Sequence, residues 1–389
     1  MKNFKVFQDV TISGIRPYSV FVGANGTGKT TLFGVFGFLR DCLKDNVRSA
    51  LAKLGGFREV VSRGHESETI LIELKIRMDL SIGSRVVTYI VEIGLGSGAP
   101  IVAKETLRYT RYGGGKPFDF IRFAEGTGSA IRNEGLLTEK SSLEEREEQK
   151  LDSPDILAIK GLGQFERFEA ASAFRRLIEN WHVSDFHISA ARSSQDAGYA
   201  EHLSPEGENL PLVTQYLFEN HRNEFDKILK AMERRVPGVR NVSAEQTQDG
   251  RVVLRFQDGS FKDPFVARYV SDGTIKMFAY LTLLHDPKPH PLLCIEEPEN
   301  QLYPSLLREL SEEFMSYASK GGGQVFVSTH SPDYLNAVEV DSIFVLRKKG
   351  GFTEVQRATD FPQIPEMVAA GDLPGALWRQ RMFEGADPQ

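Results

Sequence analysis

The sequence predicts an α/β fold with a mostly parallel core sheet, an antiparallel β lobe and an inserted helical lobe, and three observations carry that prediction. Residues 18–22 are a short aromatic and β-branched run, followed by the glycine-rich stretch 23–30. Leu32, Phe33, Val35, Phe36 and Leu39 then recur at helical spacing, so the segment reads strand, loop, helix. From residue 70 to 94 the period changes to two. Ile70, Ile72, Leu74, Ile76 and Met78 alternate with mostly polar neighbours, and Val87, Tyr89, Val91 and Ile93 repeat the pattern after a turn at 82–84, which predicts an antiparallel sheet. Far downstream, the apolar runs 291–295 and 324–329 read as further buried strands, each ending in polar residues.

The intervening chain is read more coarsely. Residues 125–152 carry Gly-Thr-Gly and then Glu144-Glu145-Arg146-Glu147-Glu148 with few large apolar groups, which predicts a mobile excursion or a solvated helix. Helices are expected at 165–181 and 210–235, with no sustained heptads between Lys29 and Ser271 and hence no long coiled-coil arms. The expected division is an N-terminal head segment at 1–115, an inserted mostly helical lobe with a mobile acidic segment at 116–245, and a C-terminal head segment at 246–389.

Composition narrows the function classes. A chain of 389 residues is long enough for a sizeable core, and its net charge of −6 argues against a general nucleic-acid coat while leaving room for a local basic groove. Cys42 and Cys294 are far apart with apolar neighbours, which reads as two buried thiols rather than a disulfide framework or a zinc site. No run is apolar for long enough to span a bilayer, and the start at Met1 leads into strand-like sequence. A cytoplasmic location without membrane attachment is therefore expected.

Residues 23–30, Gly-Ala-Asn-Gly-Thr-Gly-Lys-Thr, fit G-x-x-x-x-G-K-[ST] between a buried strand and a helix. Glycines let backbone N–H groups face a phosphate chain, and the helix N-terminus adds positive potential. Lys29 is placed to reach the β and γ phosphates, and Thr30 to ligate magnesium. The cradle is expected from Gly23, Asn25, Gly26, Thr27, Gly28, Lys29, Thr30 and Thr31. The run 291–295 delivers Glu296 and Glu297 at its C-terminal edge, the edge at which open parallel sheets bind ligands. One carboxylate, Glu296, suits the metal, and the next, Glu297, suits the attacking water. The run 324–329 ends at His330, placed to contact the γ-phosphate or that water. Ser271-Asp272-Gly273-Thr274 opens an amphipathic run and reads on its own as a helix cap that offers Ser271 and Gly273 to an anion.

Taken in order, a Walker A loop at 23–30, an ABC-like signature at 271–274, a Walker B segment at 292–297, Pro298-Glu299-Asn300-Gln301-Leu302-Tyr303-Pro304 and a switch histidine at His330 resemble the RecF/OLD-type AAA ATPases of the ABC class. Residues 55–60, 207–210 and 371–378 add to the likeness, which covers nearly the whole chain. The resemblance implies an ABC/SMC-head-like P-loop fold, ATP and Mg2+ as ligands, and hydrolysis with Glu297, His330 and Lys29 as catalytic groups. It also implies a head-to-head homodimer, with larger assemblies left open, in which Ser271 and Gly273 of one subunit complete the site of the other. Three departures stand out. Glu296 replaces the usual Asp, the signature is Ser-Asp-Gly-Thr rather than Leu-Ser-Gly-Gly-Gln, and the segment around Arg58 stands where a Q-loop glutamine is expected.

OLD relatives append a Toprim nuclease module, for which residues 338–389 are too few, so a separate effector, a nuclease or toxin in anti-phage defence or DNA maintenance, is the implied partner. DNA or RNA is a further candidate ligand through Arg347-Lys348-Lys349, Arg234-Arg235 with Arg240, and Arg379 with Arg381, each of which also reads as a solvated face. The alternatives are an ATP-dependent scaffold with rare hydrolysis and, on the signature, a less favoured transporter subunit.

Overall fold

The computed structural model describes residues 1–110, 117–132, 145–384 and 386. It divides into two compact units, one of residues 1–12, 31–181 and 348–355 and the other of residues 13–30, 182–347 and 356–389.

Among the described residues, the first unit is built on an eight-stranded antiparallel sheet in the order Phe7–Asp9, Lys2–Phe4, Ile70–Leu80, Gly83–Gly96, Ala99–Tyr109, Phe118–Ala124, Thr127–Ile131, Arg146–Lys150. The two strands read from the period of two form its longest hairpin, with Ile70 opposite Ile93, Ile72 opposite Val91 and Leu80 opposite Gly83. The turn is therefore tighter than expected, two residues at Ser81 and Ile82. Ile70, Ile72, Val87, Tyr89, Val91 and Ile93 are buried, whereas Glu73, Lys75, Arg77 and Asp79 are exposed, as a one-faced sheet requires.

The acidic stretch corrects the expectation placed on it. Arg146–Lys150 is neither excursion nor helix but the edge strand, paired with Thr127–Ile131 from Ile131 opposite Arg146 to Thr127 opposite Lys150. It hides in the sequence because it is charged on both faces, as edge strands often are. Residues 133–144 of the expected mobile segment lie outside those described. The 115/116 boundary is corrected with it, since three strands beyond it complete this sheet and the first unit continues to Trp181.

Glu105 lies wholly inside this unit. Its carboxyl group accepts from the backbone N–H of Ile159 (3.0 Å) and of Ala158, and from the Tyr89 hydroxyl (3.1 Å). Burial outweighs these hydrogen bonds and pushes its pKa from 4.5 up to about 7. The folded state thus holds a proton that the unfolded chain has released, so stability falls as pH rises from about 4.5 through 7. At 1.36 kcal/mol per unit, denaturant unfolding should show the wild type losing about 2 to 3 kcal/mol more than Glu105→Met between pH 5 and 8. Equal losses in the two proteins would refute this account.

The second unit holds the parallel core. Of its six-stranded sheet, five strands run parallel in the order His182–Ser184, Leu292–Glu296, Gln324–Thr329, Tyr18–Val22, Ile343–Lys349. Tyr18–Val22 is buried at every position, which is why it reads as an unbroken apolar run. The helix Asp272–Leu284 is buried from Thr274 to Leu284, and Ser271 caps it by accepting from the Thr274 N–H. The single helix expected at 210–235 is two, Leu210–Asn220 and Arg222–Arg235, broken where His221 leaves helical dihedrals. The helix expected at 165–181 is shorter, Glu169–Glu179, and lies in the first unit. A four-stranded antiparallel sheet of Gln195–Asp196, Arg251–Asp258, Val239–Gln246 and Phe265–Val266 has no counterpart in the expected helical lobe. Gly375, in the helix Pro374–Arg379, packs so tightly on the Pro332–Leu335 turn that a Cβ would sit 1.8 Å from the Pro332 carbonyl oxygen. That approach explains the small residue in the 371–378 stretch. Cys42 and Cys294 are both buried, and neither is in a disulfide.

Candidate functional site

The site lies in the second unit, where three parallel strands end side by side. Ser328 pairs with Phe21 on one side and Glu296 on the other, so the loops after Val22, Glu296 and Thr329 leave the sheet along one edge. That edge gathers the phosphate-loop residues, both carboxylates and His330.

In the loop, Gly26 (φ 78°) and Gly28 (φ 96°) adopt left-handed conformations that side chains disfavour. The Thr27 hydroxyl ties back to the Ala24 carbonyl at 2.8 Å, and Asn25 and Gly26 stay exposed. Lys29 is buried, and its ammonium donates to the carbonyls of Gly23 (2.8 Å) and Ala24 (3.3 Å). It also faces Glu297 Oε1 at 3.8 Å. Burial lowers its pKa, opposed by Glu297, Glu299 and Glu296. A buried cation held by two uncharged carbonyls at the mouth of a helix is suited to an anionic phosphate chain. Thr31 continues the helix Lys29–Lys44 and belongs to the first unit.

Thr30 Oγ1 donates to Glu296 Oε2 at 2.6 Å. Burial raises the Glu296 pKa, the Thr30 hydrogen bond opposes that, and Asp185 and Glu297 add to it. Two oxygen donors in contact, one a carboxylate that burial disfavours as an anion, fit a hard divalent cation such as magnesium. The longer arm of Glu296 does not prevent the contact with Thr30.

Glu297 has φ 39° and Gln301 φ 66°, so two non-glycine residues in one short loop sit in the left-handed region. Such strain persists only where the surroundings hold it. Here the Glu297 N–H donates to the Ser328 carbonyl at 2.9 Å and Asn300 Nδ2 donates to Glu297 Oε2 at 3.2 Å. His330 Nδ1 lies 3.3 Å from Glu297 Oε1 and 3.4 Å from Glu299 Oε1. Glu299 anchors the histidine's loop by accepting from Thr329 Oγ1 at 2.7 Å and from the His330 N–H at 2.9 Å.

A cleft of about 770 Å³ is lined by Thr30, Glu296 and Glu297 of these groups and also by Asp185, Asp272 and Lys276. Ser271 and Gly273 do not line it, although Asp272 and Lys276 of the same helix do. Arg192 fixes that helix start, with its guanidinium 2.5 Å from Asp272 and donating to the Val270 carbonyl. Lys276 is buried, donates to the Asn300 carbonyl at 2.7 Å, and is brought down by burial to about 8.

Glu299, Lys276, Asp185 and Arg192 are the residues that the sequence reading left without a role. Lys276 left a trace, as a lone cation in an otherwise apolar helical run. Arg58 is exposed on the short helix Phe57–Val60 of the first unit. The basic clusters are largely engaged. Arg235 is partly buried among Glu309, Glu312 and Glu313, Arg234 pairs with Glu313 at 2.9 Å, and Arg379 pairs with Asp333 at 3.1 Å. These pairs weigh against phosphate contacts at those arginines. No described helix is long and apolar enough to cross a membrane.

Fold and site together define an α/β protein with a P-loop. Residues 19–336 match a family described as "AAA domain, putative AbiEii toxin, Type IV TA system", and the chain belongs to that family. No curated protein matches the sequence. Among solved structures, the chain is similar to an SmcHead bound to the C-winged helix domain of ScpA, at 13% identity and TM-score 0.49 over 91% of this chain and 94% of that one. It is also similar to the Smc head domain with an extended coiled coil bound to the C-terminal domain of ScpA from Pyrococcus furiosus, at 12% identity and TM-score 0.44 over 95% and 98%. The SMC head domain from Thermotoga maritima gives 12% identity and TM-score 0.37 over 92% and 96%.

Proposed function

We propose that this chain binds and hydrolyses ATP at the edge formed by Lys29, Thr30, Glu296, Glu297 and His330, and that ATP joins two copies head to head. The observation that carries this reading is the convergence of Lys29, Glu297, His330 and Glu299 within contacts of 3.3 to 3.8 Å at the mouth of the phosphate loop. Lys29 neutralises phosphate charge as it moves toward the leaving group. Glu297 accepts the proton of the attacking water, with His330 and Asn300 holding its carboxylate in place. Thr30 and Glu296 would hold magnesium, which when bound would supply charge neutralisation for the phosphate chain. Ser271 and Gly273, which do not line their own chain's cleft, are available to the γ-phosphate held by a second copy.

The dimer in turn gates a separate effector, a nuclease or toxin, in anti-phage defence or DNA maintenance. The family's description, which names a toxin of a type IV system, agrees in kind with such a role. The test is the solution mass of the full chain with and without ATP and magnesium. Conversion of monomers to dimers, or a tightened larger assembly, is the expected result. A mass that ignores nucleotide while phosphate is released would overturn the sandwich.

A further inference from the structure

A second cluster of chemistry-bearing side chains lies in the same unit and takes no part in the nucleotide site. His202, Asp286 and His290 each offer a ligand atom, and the three atoms lie within 4.8 Å of one another. Asp286 Oδ2 is the pivot, 2.7 Å from His202 Nδ1 and 3.6 Å from His290 Nε2. Asp286 and His290 are buried, whereas His202 is half exposed and opens the cluster to solvent.

The surroundings hold these groups in place. The other carboxylate oxygen of Asp286 accepts from the Lys288 N–H at 2.8 Å, which leaves Oδ2 turned toward the histidines. The His202 carbonyl accepts from Asn209 Nδ2 at 2.9 Å, and the His290 carbonyl accepts from the Tyr317 hydroxyl at 2.9 Å. The Lys288 bond orients the ligating carboxylate, and the two carbonyl bonds fix the backbone that carries each histidine. A buried aspartate facing two imidazoles also works as a plain hydrogen-bonded cluster, so geometry and chemistry must decide. Zinc bonds to nitrogen or carboxylate oxygen are about 2.0–2.2 Å, which sets neighbouring ligand atoms about 3.4 Å apart in a tetrahedron. The two separations from Asp286, 2.7 and 3.6 Å, bracket that value, the histidine nitrogens lie within 4.8 Å of each other, and imidazole rings turn readily about their last torsion. Two imidazoles and a carboxylate are the donor set of a first-row divalent cation rather than of magnesium or calcium.

We infer that His202, Asp286 and His290 form a binding site for one zinc-type divalent cation, with its remaining position open to solvent on the His202 side. The cation clips the loop carrying His202 to the turn that leads, through His290, into the strand Leu292–Glu296. The site is separate in residues from Thr30 and Glu296, and it stands or falls independently of the nucleotide reading.

The experiment loads the chelator-stripped full chain with Zn2+, and in parallel with Co2+, in the presence of millimolar Mg2+. Metal content, Co2+ visible absorption and the thermal midpoint are followed for wild type, His202→Ala, Asp286→Asn and Glu296→Gln. One bound equivalent, a ligand-field spectrum and a raised midpoint are expected for wild type and Glu296→Gln. At least about 100-fold weaker binding is expected for His202→Ala, whose half-exposed side chain can be removed without opening the core. Asp286→Asn should weaken binding as well. No bound metal in the wild type, or equal binding by His202→Ala, overturns the inference.

Discussion

Glu297→Gln should lower ATP turnover by about 10²- to 10⁴-fold while leaving nucleotide binding intact, the range expected when a positioned general base is neutralised. Gln keeps the length of the side chain and an oxygen for Asn300 Nδ2, now 3.2 Å from Glu297 Oε2, so the loop geometry should survive. What disappears is the charge that faces Lys29 at 3.8 Å and His330 at 3.3 Å. With proton acceptance removed, closure can occur but reversal by hydrolysis cannot, and the variant should accumulate as the ATP-bound dimer. Single-turnover phosphate release and solution mass, measured on the same samples, check both halves. If turnover is unchanged, Glu297 is not the base. If the wild type already hydrolyses at the level of the variant and assembles as well, the chain acts as a scaffold.

How far the sequence disclosed this arrangement depended on how local each signal was. The phosphate loop is contiguous, and its glycines are demanded by backbone conformations that few other residues adopt, so its pattern survives in one dimension. The parallel strands bearing Glu296 and His330 are buried on both faces and stand out as apolar runs. The antiparallel hairpin is legible for the opposite reason, one wet face and one dry. What failed was whatever depends on pairing at a distance. Arg146–Lys150 has no apolar face and becomes a strand only because Thr127–Ile131 lies beside it. Asp185 and Arg192 enter the cleft only because His182–Ser184 joins the parallel sheet beside Leu292–Glu296, a pairing across more than a hundred residues that no local period announces. His202 reaches Asp286 by the same kind of long-range meeting.

The strain at Glu297 bears on how the site is set. A carboxylate at φ 39° is held by the Ser328 carbonyl behind it and by Asn300 and His330 in front. Glu299 in turn fixes His330 through its backbone N–H and through Thr329. Truncating Glu299 would therefore loosen His330 directly and, through His330, the Glu297 carboxylate, the behaviour of a positioning residue.

Lys29→Ala should act at an earlier step, weakening nucleotide binding and lowering turnover by at least about 10²-fold, as loss of one preorganised charge-stabilising donor does. The ammonium is the cation that faces Glu297 in the loop mouth, and Glu299 and Glu296 also act on it. Its removal leaves those carboxylates to repel both one another and an incoming phosphate chain. Lys29→Arg should not rescue. The ammonium is threaded between the Gly23 and Ala24 carbonyls at 2.8 and 3.3 Å, a fit for a compact point charge and not for a planar guanidinium fork. Titration with a fluorescent ATP analogue separates the two lesions, since Glu297→Gln should bind and Lys29→Ala should not. Retained binding and turnover in Lys29→Ala would remove the phosphate loop from the mechanism and leave the carboxylates at the strand edge without a substrate to act on.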